Sequence, residues 1–207
     1  MSVRVFVDFD GTIVDVWARY FAVFRDYFKL PEDVYNKYRE LKYLYPSDRE
    51  LVSHLFHLNT VETEVYLQFK HNWLEEIEYL RLDTLIPDSQ ALKTFFQKND
   101  ARVLTIRKNK ATFMKQLDWM GIGFLQEWAI VLESSGISAK CDWLRKHANE
   151  EPFIMIGDSE VDMQAGEIST CKAYFVKTGL RDVRYLPNGI KPAKVYENIQ
   201  ECFADIL

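Results

Sequence analysis

The chain opens on an apolar run, Val3 to Val7, that breaks into Asp8, Phe9, Asp10, Gly11 and Thr12. A short run rich in Val and Phe predicts a buried strand, and the break puts two carboxylates at its carboxyl end. From Val16 onward the period changes. Tyr20, Phe21, Phe24 and Phe28 fall at helical spacing before Pro31, a second helix is expected over Val34 to Tyr43, and Ser47 with Glu50 has the spacing of a capping box opening a third. A fourth begins near Thr60, where Val61, Val65, Phe69, Trp73 and Ile77 recur in steps of four and predict one apolar face. The chain thus reads as helical from Val16 to Leu80.

Strand patterns return later. Pro87, Asp88 and Ser89 open a helix that Asn99 and Asp100 close, and the strand Arg102 to Ile106 follows. Strands at Ala129 to Leu132, Phe153 to Ile156 and Ala173 to Val176 then alternate with helices at Asn109 to Met120, Ser138 to His147 and Val161 to Ile168. Val195 and Tyr196 predict a short edge strand before a last helix carrying Ile199, Phe203 and Ile206. This order predicts an α/β fold: a Rossmann-like parallel-sheet core made of residues 1–15 and 84–207, with an all-helical domain, 16–83, inserted after the first strand. Ligands of such sheets bind beyond the carboxyl ends of the strands, and the insertion leaves from that edge. It is therefore expected to act as a lid.

Composition narrows the function. With 207 residues, 48% of them hydrophobic, the chain can build one good core and a smaller second one. A net charge of −5 offers no basic footprint for nucleic acid, and no apolar run is long enough to span a membrane. No basic leader precedes the first strand, so a cytoplasmic location is expected. Cys141, Cys171 and Cys202 are an odd number without metal-ligand spacing and read as reduced, buried thiols. The four histidines share no spacing that suggests a joint site. Oligomeric state is not legible.

The residues that carry chemistry all fall at carboxyl ends of expected strands or just beyond: Asp8 and Asp10, Thr105, Lys140, and Asp158 with Asp162. Two anions side by side call for a cation or a proton. Asp158 and Asp162 could join Asp8 around a hard divalent ion, and an oxygen-only donor set points to Mg²⁺ over Zn²⁺. Arg107, two residues past Thr105, divides evenly between an anion contact and a surface role.

These positions resemble the four motifs of the haloacid dehalogenase-like (HAD) hydrolase superfamily: Asp8-x-Asp10-Gly11-Thr12, Thr105, Lys140, and Gly157-Asp158-x-x-x-Asp162. The helical insertion resembles the cap of that family's phosphoglycolate phosphatase and β-phosphoglucomutase branch. The resemblance implies a Mg²⁺-dependent phosphatase acting on a small phosphorylated metabolite. Asp8 is implied as the nucleophile that forms an aspartyl phosphate, and Asp10 as the acid that protonates the leaving alcohol and then activates water. Mg²⁺ is implied at the Asp8 side chain, the Asp10 carbonyl and Asp158, with Asp162 orienting from behind. Gly11, Thr105 and Lys140 are implied to hold the phosphoryl group. Two positions depart from the common pattern, Ile106 after Thr105 and Cys141 after Lys140, and neither removes a charge. Alternatives are a sugar phosphomutase using the same aspartyl phosphate, a dehalogenase, and a non-catalytic binding protein. Asp10 speaks against the dehalogenase, since a halide needs no proton on leaving. Within the insertion the sequence does not choose among candidates such as Tyr45 and Arg49.

Overall fold

The computed structural model describes residues 3–133, 136, 138–148 and 151–206. Its centre is a six-stranded, all-parallel sheet of β1 (Arg4–Val7), β4 (Ala101–Ile106), β5 (Ala129–Leu132), β6 (Phe153–Gly157), β7 (Cys171–Val176) and β8 (Lys194–Tyr196), in the order β5-β4-β1-β6-β7-β8. Parallel strands must be covered on both faces, and the side chains divide accordingly. Val5, Val7, Val103, Ile154, Ile156, Tyr174 and Val176 belong to the core on one face. Phe6, Leu104, Phe153 and Met155 belong to the core on the other.

Helices α6 (Ser89–Lys98), α7 (Lys110–Trp119) and α10 (Ile199–Ile206) cover the first face through Leu92, Phe95, Phe113, Leu117 and Phe203. Phe95 and Phe203 stack with ring centroids 3.8 Å apart. Helix α8 (Ala139–His147) covers the second face through Leu144, and the short α9 (Glu160–Met163) follows β6. The chain moves outward from β1 to β4 and β5, then returns to β1's other side for β6. That reversal opens a crevice at the carboxyl ends of β1 and β6, where Asp8 and Asp158 stand.

Between β1 and β4 the chain builds α1 (Trp17–Phe28), α2 (Tyr35–Leu44), α3 (Asp48–Phe56), α4 (Thr60–Trp73) and α5 (Ile77–Leu80). A small antiparallel ribbon that the hydrophobic pattern does not announce brackets these helices: β2 (Val14–Asp15) pairs with β3 (Thr84–Leu85). The aromatic side chains of the insertion form its core, with Phe28 stacked on Phe56 at 4.1 Å and Phe24 against Tyr38 and Tyr66.

The expected apolar face of α4 is not the one that packs. Val61 is 73% exposed, and Val65, Trp73 and Ile77 are exposed as well, whereas Thr63 and Tyr66 turn inward. Residues four apart drift by about 40° on a helix of 3.6 residues per turn, so the four from Val61 to Trp73 sweep about 120°, and Ile77 lies beyond them in α5. The box expected at Ser47 is half formed: its hydroxyl accepts from the Glu50 amide at 3.5 Å, while the reciprocal pair forms at Asn59 and Glu62. Cys141 and Cys202 are buried, and Cys171 is only partly so.

Candidate active site

Each charged residue of the site is delivered by the end of a regular element. Asp8 follows β1, Asp158 follows β6, and Lys140 is the second residue of α8. Lys140 Nζ donates to Asp8 Oδ1 at 2.5 Å and to Asp162 Oδ1 at 2.6 Å, and all three side chains are buried. Asp162 Oδ2 accepts from the Ser159 hydroxyl at 2.6 Å and caps its own helix start. Asp158 Oδ2 accepts from the Leu180 amide at 3.1 Å.

Carboxylate oxygens of Asp8, Asp158 and Asp162 lie within 4.8 Å of one another. Three buried carboxylates face one ammonium, and the imbalance shows in the proton affinities of Asp8 and Asp158. Burial and the Asp162 charge push Asp8 up to about 7 despite Lys140. Burial and the Asp8 charge raise Asp158 well above the carboxylate range. Burial opposes the Lys140 charge, but Asp162 and Asp8 outweigh it and raise that group above its ordinary value. This donor set fits a hard divalent cation. The hydrogen bonds just given leave Asp8 Oδ2 and Asp158 Oδ1 outside them, whereas both Asp162 oxygens are engaged. Asp162 therefore suits an orienting position better than direct ligation.

Two glycines shape this corner. Gly11 has φ +74°, and a Cβ there would stand 2.6 Å from Asp158 Oδ2. At Gly179 a Cβ would stand 1.7 Å from the same oxygen. The Asp158 carboxylate thus occupies a slot that any side chain at either glycine would fill.

Asp10 is held differently. Arg107 donates to both its oxygens, through Nη1 to Oδ2 at 2.7 Å and through Nη2 to Oδ1. Arg19, fully buried in α1, places Nη2 2.7 Å from Asp10 Oδ2 and Nε 3.1 Å from Asp83 Oδ1. Asp83, at the insertion's far end, also accepts from Gln116 Nε2 of α7 at 2.8 Å. Burial works against charge on Asp10, yet Arg107 and Arg19 prevail and hold it down at about 2. Asp10 accordingly enters the site as a carboxylate. Arg107 belongs to the site rather than to the surface.

A cavity of about 210 Å³ joins Asp8, Asp10 and Asp158 on the core side to Tyr20, Lys42, Asp48 and Lys70 of the insertion, with Leu180 and Arg181 beside them. Lys140 and Asp162 stand behind Asp8, and Thr105 is buried in β4 away from the cavity wall. Of the insertion candidates, Tyr45 stacks on His54 at 4.3 Å and Arg49 pairs with Glu64 at 2.5 Å, so neither lines the cavity. Lys42 was findable in principle. It falls on the same helical face as Tyr38 and Leu41, a charge on an inward stripe.

A family model described as HAD-hydrolase-like matches residues 129–202. Among curated proteins none matches the chain. Solved structures match along its whole length. A haloacid dehalogenase-like family hydrolase from Streptococcus pneumoniae superposes with a TM-score of 0.73 at 15% identity, covering 100% of this chain and 99% of its own. A protein from Clostridium acetobutylicum described as a predicted phosphatase gives 0.71 at 11%, with 100% and 98% covered. One from Haemophilus somnus described as a predicted phosphoglycolate phosphatase gives 0.66 at 17%, with 98% and 95% covered. The chain therefore has the fold of the haloacid dehalogenase-like hydrolases, and the resemblance seen in its four motifs extends to the whole architecture. Among the described residues no helix is long and apolar enough to cross a membrane.

Proposed function

We propose that this chain is a phosphatase that hydrolyses a small phosphomonoester through an aspartyl phosphate on Asp8, with the helices of residues 16–83 as its cap. The observation that carries the reading is the Lys140 bridge between Asp8 and Asp162, which stands behind a half-open cavity lined by Asp8 and Asp158. An Asp8 oxygen bonds to phosphorus as the ester P–O bond breaks, and Asp10 gives its proton to the leaving alcohol. Asp10 takes that proton from solvent as the arriving phosphoryl dianion opposes the pull of Arg107 and Arg19. It then takes a proton from water, which attacks phosphorus, frees the Asp8 carboxylate and releases inorganic phosphate.

Lys140 offsets charge on Asp8 and on the transferring group, and Gly11 lets the backbone approach that group closely. Thr105, which the resemblance implies as a phosphoryl contact, does not line the cavity and takes no part in this step. Asp8, the Asp10 carbonyl and Asp158 would hold Mg²⁺, which when bound supplies positive charge to the phosphoryl oxygens. Asp162 holds Lys140 in place. The test is turnover of a panel of phosphate esters with Mg²⁺ by the wild type and by Asp8→Asn. Free phosphate from the wild type and a loss of at least about 10³-fold in the variant are expected for removal of a nucleophile. Unchanged hydrolysis in Asp8→Asn, or an isomerised ester in place of phosphate, overturns it.

A further inference from the structure

The insertion's side of the cavity carries a charge cluster that the chemistry above does not use. Lys42 projects from α2 and is 1% exposed; its Nζ donates to the Pro46 carbonyl at 2.7 Å and to Asp48 Oδ1 at 2.8 Å. Lys70, from α4, pairs with the other Asp48 oxygen and lies 4.5 Å from the centre of the Tyr20 ring. One carboxylate thus serves two ammonium groups, and the cluster retains a positive charge on the cavity wall. Arg181 adds none, because Glu160 pairs with it at 2.8 Å.

Stability does not explain this arrangement. Buried ion pairs are often matched or exceeded by apolar side chains of the same volume, and a second ammonium on one carboxylate adds desolvation cost without a second partner. The cost registers on Lys42, which burial, with Lys70 nearby, pushes down to about 8 even beside Asp48. The cluster faces the floor carboxylates across a cavity of about 210 Å³, below the ~300–1,000 Å³ of ordinary ligand clefts. A phosphoryl group at Asp8 faces these lysines across that half-open cavity, so the far end of a short alcohol ester meets them.

We propose that Lys42 and Lys70 form a subsite for a second anionic group on the substrate, so that the preferred esters are short and carry a carboxylate or a second phosphate at the end away from the reacting phosphorus. This deepens the phosphatase reading and rests on it for the orientation of the substrate. Lys70 supplies the direct contact, and Asp48 holds both ammonium groups toward the cavity. Tyr20 fixes Lys70 from below.

The test is equilibrium binding, which does not require turnover. Calorimetric titrations of the Mg²⁺-supplemented protein would use three phosphonates of matched length: 3-phosphonopropanoate, propane-1,3-diyl bisphosphonate and propylphosphonate. The wild type is expected to bind at least one of the first two about tenfold more tightly than the third, the gain of one charge-assisted hydrogen bond. Which of the two wins tells carboxylate from phosphate. Lys70→Met, whose folding is checked by its melting curve, is expected to remove the preference, weakening the favoured ligand far more than propylphosphonate, while Lys70→Arg keeps it. Lys42→Met is the second variant and is expected to act in the same direction. Equal affinity for the three ligands, no binding by any, or a preference that survives Lys70→Met overturns the subsite. Failure of ester hydrolysis with this preference intact would count against the phosphatase reading alone.

Discussion

Arg107 grips Asp10 through both guanidinium nitrogens, from a loop 97 residues further along the chain. The guanidinium also lies 5.5 Å from the Phe9 ring centre and 5.3 Å from that of Phe113, so its position is fixed by packing as well as by charge. Such a bidentate pair holds a carboxylate in one orientation, which lysine cannot do. Arg107→Met is therefore expected to lower kcat by about 10²-fold, toward the range general acid–base catalysis contributes, with less change in KM. Loss of one arginine also lets Asp10 rise from about 2 toward the ordinary value near 4, so the acid limb set by Asp10 acting as base on water should move to higher pH. Steady-state rates across pH check both, and a profile that keeps its shape would refute the second.

Asp83 is a source of pH-dependent stability. Burial raises it to about 7 in spite of Arg19, against an ordinary carboxylate value near 4. The folded chain then holds a proton that the unfolded chain has released, so stability is full below pH ~4 for this group and declines as pH rises toward 7. Asp83→Asn keeps the volume and removes the titration. Relative to the variant, the wild type is expected to lose about 1–3 kcal/mol between pH 5 and pH 8, at 1.36 kcal/mol per pKa unit. Urea unfolding at the two pH values measures it; parallel losses in both proteins would show that Asp83 is not the source.

Lys140 is the ammonium bonded to both Asp8 and Asp162. Lys140→Met leaves two buried carboxylates without it, a change that costs about 3–5 kcal/mol when a buried pair is broken. The variant should melt well below the wild type, and Lys140→Met combined with Asp8→Asn should recover part of the loss because one of the stranded charges is gone. Thermal unfolding of the four proteins closes the cycle. No recovery in the double variant would mean that the two groups are not coupled.

The slot at Asp158 ties a backbone feature to the proposed cation site. Mg²⁺ at 100 times its dissociation constant should stabilise the wild type by about 2.7 kcal/mol. Gly179→Ala puts a methyl where the Asp158 carboxylate now sits, and Asp158→Asn removes its charge. Both should unfold at a midpoint that no longer responds to Mg²⁺. An unchanged response in Gly179→Ala would place the cation elsewhere.

The core and the grouping of Asp8, Asp158 and Lys140 were legible because these residues follow a strand or open a helix, and strand ends are marked by abrupt changes in hydropathy. Asp8, Asp158 and Lys140 meet as those patterns imply. Arg19 and Lys42 were harder to see. A charged residue in a helix is most often solvated, and only three-dimensional pairing shows that Arg19 is buried between Asp10 and Asp83. The α4 face misled for a different reason: Val61, Val65 and Trp73 are regular in sequence but wind around the helix axis, while the inward Tyr66 and Thr63 break no pattern. Tyr45 and Arg49 stand near helix junctions, where sequence proximity to the sheet edge says nothing of direction.

The ribbon of Val14–Asp15 with Thr84–Leu85 brings the two ends of the insertion side by side. The sheet therefore registers the insertion as it would a hairpin turn: strands on either side need not shift to accommodate what lies between. In the phosphatase reading proposed above, residues 16–83 form an exchangeable cassette, to be grafted or replaced so as to alter which molecule is admitted while the reacting groups stay where they are. The graft has one boundary condition. Arg19 and Asp83 lie inside the cassette yet clasp Asp10 and Gln116 of the host, so a transplanted insertion must bring that clasp with it.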